Sequence, residues 1–129
     1  MARILVVEDD LPIQEIIVSA LGYEGYSVDV VEDGAQAWDY LLSHDPDLVV
    51  LDLALPRMDG ITLCRKLRAN PPTRLLPVLV VSASGGESVV RSALDAGASA
   101  FLDKPFDLGD LVEQVLNLVR PPRASGVVA

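Results

Sequence analysis

One cysteine, one histidine, one tryptophan and an aromatic content of 5% are what this 129-residue chain has least of. The lone Cys64 cannot close a disulfide within the chain, and with His44 as its sole imidazole no zinc set can be assembled. Bases are scarce too. Ten Lys and Arg against nineteen Asp and Glu leave a formal charge of −9, the wrong sign for gripping nucleic-acid phosphates or an anionic membrane. No apolar run approaches the roughly 20 residues of a membrane-spanning helix, and only Arg3 and a short apolar run precede the first acids, too little for a secretion signal. The expectation is a cytoplasmic protein that binds neither nucleic acid nor membrane through this domain.

Half of the residues are hydrophobic, enough for one core, and with so few rings that core must be built from Val, Leu, Ile and Ala. Residues 1–120 read as one domain. Residues 121–129, opening on Pro121-Pro122 and passing through Ser125-Gly126, have linker composition and are expected to form a flexible tail or connection.

Hydrophobic periodicity divides the domain into alternating strands and helices. Ile4-Leu5-Val6-Val7 is a continuous apolar run, as suits a strand buried on both faces, and it leads straight into Glu8-Asp9-Asp10. Ile13, Ile16, Ile17, Ala20 and Leu21 recur at helical spacing, with Asp10 as a cap, Pro12 suited to the first turn and Gly22 or Gly25 to the stop. Ser27 to Val31 predicts a short strand ended by Glu32-Asp33-Gly34, and Ala35, Trp38, Leu41 and Leu42 predict one face of a second helix, closed by Asp45-Pro46. Leu48-Val49-Val50-Leu51 is a second buried run, and it too ends in a carboxylate, Asp52.

A loop from Leu53 to Asp59 leads into a third helix with Ile61, Leu63, Cys64 and Leu67 on one side, broken by Asn70-Pro71-Pro72. Cys64 in that stripe reads as a small buried hydrophobe, and His44, in a turn, as a solvated residue. Pro77 to Val81 is the third buried run, ending in Ser82-Ala83-Ser84-Gly85-Gly86, and the glycine-rich loop Ala83 to Glu87 is expected to be mobile. Val89, Val90, Ala93 and Leu94 mark a fourth helix, and Ala100-Phe101-Leu102 a last short strand before Asp103-Lys104-Pro105. Leu108, Leu111, Val112, Val115 and Val119 form the clearest amphipathic helix, and Leu116 and Leu118 widen its apolar face, which predicts a partner or self-association surface.

Strand and helix alternate with connections too long for hairpins, which predicts an α/β fold: a five-stranded parallel sheet, doubly wound, flanked by five helices. The fully apolar strands should be central. In the order 2-1-3-4-5 the switch point lies between the first and third strands, beyond whose carboxyl ends ligands bind. Those ends carry Glu8, Asp9 and Asp52, while Ser82 and Lys104 reach the same rim from the fourth and fifth strands. Oxygen-only acids suit a hard cation, and magnesium better than calcium in a small site that keeps several waters. Anions around a divalent cation, with an ammonium and a hydroxyl opposite, make a receptor for a transferring phosphoryl group, and a carboxylate can itself be the nucleophile.

Ile4 to Asp10, Asp52-Leu53-Ala54-Leu55-Pro56-Arg57-Met58-Asp59-Gly60, Pro77 to Ala83 and Lys104-Pro105-Phe106 closely resemble the motifs of the receiver domain of two-component response regulators. The resemblance runs from Arg3 to about Arg120, and the strand order rests partly on it. It implies that Asp52 is the phosphoacceptor, addressed by a sensor histidine kinase or phosphotransfer protein. Magnesium would be bound by Asp9, Asp52 and the backbone carbonyl of Ala54, with Glu8 acting through water. Lys104 would pair with the acceptor carboxylate and then with phosphoryl oxygens, Ser82 would hydrogen-bond the phosphoryl group, and Phe101 would be the switch aromatic. The Lys104-Pro105 bond would be cis. The output would be a change in the face built from the fourth helix, fifth strand and fifth helix, used for an effector contact or a homodimer. Such a domain catalyses its own phosphorylation and dephosphorylation and is not an enzyme acting on other substrates.

Ser82 stands where the family commonly has threonine, keeping the hydroxyl without the methyl that restrains χ1. Asp103 adds an acid beside Lys104 that strand alternation should turn away. Three other readings are weaker. A haloacid-dehalogenase-type phosphohydrolase wants an acid two residues after its nucleophile, where Ala54 stands. A flavodoxin-like carrier would need hydroxyls where Glu8-Asp9-Asp10 would repel phosphate. A receiver-like interaction module that is not phosphorylated is the main alternative, though an intact acidic set counts against it.

Overall fold

The unbroken aliphatic runs form the middle of a sheet. The computed structural model describes residues 2–83 and 86–119. Along the chain it places β1 (Arg3–Val7), α1 (Leu11–Tyr23), β2 (Ser27–Val31), α2 (Gly34–Ser43), β3 (Leu48–Leu51), α3 (Gly60–Ala69), a 3-10 turn (Pro71–Thr73), β4 (Val78–Ala83), α4 (Glu87–Asp95), β5 (Ala100–Lys104) and α5 (Leu108–Val119). All strand pairs are parallel, in the order β2-β1-β3-β4-β5. The fold is the expected doubly wound α/β sheet, with the two less apolar strands at its edges.

Because side chains alternate along a strand, each central strand feeds two cores. Leu5, Val7, Val49, Leu51, Val78 and Val80 pack with Ala37 and Leu41 of α2, Leu63, Cys64 and Leu67 of α3, and Ala93 of α4. Ile4, Val6, Leu48, Val50, Leu79 and Val81 pack with Ile17 and Leu21 of α1 and Leu111 and Val115 of α5. Cys64 is buried, as its place in the stripe predicts.

Three aspartates start the first three helices. Asp10, Asp33 and Asp59 each adopt extended backbone and accept a hydrogen bond from the N–H three residues on, at Ile13, Gln36 and Thr62. Each such cap stabilises a helix by about 1 kcal/mol.

The structure differs from the sequence pattern in several places. β4 includes Ser82 and Ala83, and β5 includes Lys104, so these polar groups are held by the ladder instead of following it. Ile16 and Leu42 face solvent, since each lies about 100° round its helix from a buried neighbour, Ile17 and Leu41. On α5, Leu118 stands three residues after Val115 and packs on the core, whereas Leu116 is exposed. The face is therefore widened by one leucine, not two. Of the loop expected to be mobile at 83–87, Ala83 ends β4 and Glu87 opens α4; Ser84 and Gly85, like the expected tail at 121–129, lie outside the described residues. Among the described residues no helix is long and apolar enough to cross a membrane.

Candidate functional site

Parallel pairing of β1 with β3 sets Val7 beside Leu51, so the residues that follow them emerge together. The ladder continues past the strand ends, with Asp52 N donating to the Val7 carbonyl at 3.0 Å and Glu8 N to the Val31 carbonyl at 3.0 Å. One carboxylate oxygen from each of Glu8, Asp9 and Asp52 falls within 4.8 Å of the others. Glu8 and Asp52 are buried while Asp9 is exposed, so the cluster has a dry floor and an open rim.

Two carboxylates buried side by side repel, and an ammonium lies between them. Lys104 Nζ donates to Glu8 Oε1 at 2.8 Å and stands 3.5 Å from Asp52 Oδ2. The shorter contact is thus to Glu8, not to Asp52. Glu8 is held on its other sides as well: Asp10 N donates to Oε2 at 3.1 Å and Gln14 Nε2 donates to the Glu8 carbonyl at 2.5 Å. Asp52 Oδ1 accepts from Ala54 N at 3.2 Å.

Burial pushes the Glu8 carboxyl above the ordinary range, and the charge of Asp52 adds to this, against the hydrogen bonds from Lys104 and from the Asp10 backbone. For Lys104 burial pulls downward, but the hydrogen bond to Glu8 and the charges of Asp52 and Glu8 outweigh it and raise its pKa. Lys104 is a firmly charged ammonium.

The donor set is all oxygen, with neither imidazole nor thiolate in the cluster. Three acids against one ammonium leave negative charge that a small divalent cation would neutralise, and hard oxygen ligands fit magnesium. The residues present therefore fit the metal.

Residues 4–116 match the family profile of the response regulator receiver domain. The chain belongs to that family. It is 42% identical over 118 residues to the response regulator MprA of a Mycobacterium species (strain KMS), covering 92% of this chain and 50% of that protein. The receiver thus spans about half the length of the curated relatives it matches. A response regulator of Chloroflexus aurantiacus superposes with a TM-score of 0.88 at 35% identity, over 92% of this chain and 97% of that one. The receiver domain of the Pseudomonas aeruginosa sensor histidine kinase PA1611, solved with a magnesium ion coordinated in the active-site cleft, superposes with a TM-score of 0.85 at 30% identity, over 92% and 97%.

Within this receiver the remaining expected residues lie on β4, β5 and the loop after β3. Ser82 is buried at the end of β4, where its neighbour Ala83 pairs with Lys104. Ala54 sits two residues beyond Asp52 in an exposed turn. Phe101 pairs with Val80 and packs half-buried against the core on the α2, α3 and α4 side. Asp103 is exposed, turned from the site as alternation predicts, and lines a groove with Val90, Arg91 and Leu94 of α4. The Lys104–Pro105 peptide bond is cis.

The sequence reading missed Gln14 and the second role of Asp10, which together hold Glu8. Their signal is Gln14 one helical turn after a cap, on the first turn facing the acids. It also missed Arg57, whose guanidinium bonds the buried Asp33 across the rim.

Proposed function

We propose that this receiver is a phospho-acceptor switch of a phosphorelay. Asp52 takes a phosphoryl group from a phosphohistidine of a sensor histidine kinase or phosphotransfer protein. A carboxylate oxygen of Asp52 forms the new bond to phosphorus as the phosphorus–nitrogen bond breaks, and the electron pair returns to the imidazole. Asp9, Asp52 and the Ala54 carbonyl would hold magnesium, with Glu8 acting through water, and the bound ion would supply positive charge against the phosphoryl oxygens.

Lys104 brings an ammonium within reach of Asp52 and stabilises the same oxygens. Ser82 supplies a hydroxyl from the adjoining strand. Hydrolysis of the acyl phosphate resets the switch, so the domain acts on itself. The output is a population shift of the face made by α4, β5 and α5, with Phe101 turning inward, which an effector or a second copy would read.

The observation that carries this reading is Asp52, buried between two further carboxylates and an ammonium at the switch point of the sheet. Incubation with acetyl phosphate and magnesium should add about 80 Da to the intact mass. The gain should vanish with EDTA and in Asp52→Asn. No gain in the wild type, from acetyl phosphate or from a phosphorylated kinase, would favour a receiver-like interaction module instead.

A further inference from the structure

Between β3 and α3 the chain runs through a loop, residues 53–59, that is locked on itself. Leu55 N donates to the Leu53 carbonyl at 3.1 Å, Met58 N to the Pro56 carbonyl at 2.8 Å, and Gly60 N to the Leu53 carbonyl at 3.0 Å. With Ala54 N bonded to Asp52 Oδ1, these bonds tie the loop to the acidic cluster at its base. The far end of the loop has an anchor of its own.

That far end is Arg57. Its backbone lies at φ 64°, in the left-handed region that residues other than glycine enter only when their surroundings hold them there. Both Nε, at 2.8 Å, and Nη2 of Arg57 donate to Oδ2 of Asp33. Asp33 is fully buried, and its other oxygen, Oδ1, caps α2 by accepting from Gln36 N at 2.8 Å. One carboxylate thus divides its oxygens between a helix start and the loop. Beside it, a β-carbon on Gly34 would overlap the Met58 carbonyl, so the loop backbone lies directly on the first residue of α2.

We propose that the Arg57–Asp33 ion pair sets the divalent-cation affinity of the site by clamping the loop that carries Ala54 against the start of α2. The inference rests on the metal-dependent acceptor reading given above. Arg57 and Asp33 are positioning residues: neither belongs to the carboxylate cluster. Groups that orient metal ligands from outside the ligand set typically change affinity by about 10- to 100-fold when removed, and a loop clamp belongs at the lower end of that range. A purely structural anchor for α2 would need only the capping oxygen of Asp33, and the second oxygen would then have no bearing on metal.

The test uses variants that separate these roles. Arg57→Gly removes the guanidinium and suits the left-handed backbone. Asp33→Asn keeps a capping oxygen and removes the charge. Arg57→Lys restores a cation without the fork. Magnesium affinity is measured by titration calorimetry at fixed ionic strength, with thermal midpoints recorded in EDTA. Arg57→Gly and Asp33→Asn are each expected to bind magnesium about tenfold more weakly than the wild type. Arg57→Lys should fall between, and the double variant should be no weaker than either single one, as for partners in one contact. Wild-type affinity in Arg57→Gly and Asp33→Asn, or losses that simply add in the double variant, overturns the inference. Should Asp33→Asn fail to fold, Arg57→Gly decides alone, since that side chain is 67% exposed. A wild type that binds no magnesium would instead overturn the acceptor reading itself.

Discussion

Gly60 lies so close to Asp52 that a β-carbon built on it would stand 2.7 Å from the Asp52 carbonyl oxygen. The contact is between backbones and has no flexible end to give way. Gly60→Ala must therefore displace the loop or the strand end. Overpacking of this kind costs about 1 to 3 kcal/mol. Urea denaturation should show that loss, and labelling of the variant by acetyl phosphate should be slower than in the wild type.

Leu111 is fully buried where α5 meets the sheet. Leu111→Ala should destabilise the domain by about 2 to 5 kcal/mol, measured as a fall in the urea midpoint at unchanged slope.

On the same helix, Leu116 and Leu118 should respond unequally to a polar substitution. Leu116→Ser should alter stability by less than about 0.5 kcal/mol, because the side chain is exposed. Leu118→Ser places a hydroxyl against the core and should lower the midpoint clearly. If Leu116 takes part in self-association, sedimentation of Leu116→Ser will show it without the confusion of unfolding.

Tyr40 donates from its hydroxyl to Asp29 Oδ2 at 2.6 Å, and burial, with that bond and the Asp29 charge, pushes its pKa up to about 12. The ordinary tyrosine value is about 10. A raised pKa favours the protonated folded form, so this contribution is complete below pH 10 and lost as pH climbs through 12. Phenolate absorbance should show Tyr40 ionising only near pH 12, and Asp29→Asn should lower that midpoint.

Asp33 answers to acid. The hydrogen bond from the Gln36 backbone, with the bonds and charge from Arg57, holds its carboxyl below the usual range against the opposing effect of burial. A depressed pKa gives stability that is present above the ordinary value of about 3.9 and lost as pH falls through the folded one. The stability difference between the wild type and Asp33→Asn should thus be flat near neutrality and shrink below pH 4.

Strand runs that end in acids made Glu8, Asp9 and Asp52 readable, because burial on both faces leaves no polar residue inside the strand to confuse its end. Alternation likewise put Asp103 outward. The phase of a helix against its sheet is less legible: Leu118 and Leu116 are equally apolar, and only the docking of α5 separates them. Arg57 and Asp33 are 24 residues apart, and nothing in composition or spacing joins them. Their meeting depends on one left-handed residue and on a glycine thin enough to let two backbones touch.

Glu8 and Asp52 follow β1 and β3, each hydrogen-bonded to a strand on both sides, whereas Lys104 belongs to β5, which among the described residues pairs with β4 alone. The anions are anchored in the least yielding part of the molecule, and the ammonium rides on its margin. Opening a two-sided strand requires breaking the whole sheet, while an outer one can loosen by itself. The cation can thus be shifted cheaply relative to a stationary pair of charges. Amide exchange should report this asymmetry as slow protection along Val49 to Leu51 and faster exchange from Phe101 to Lys104.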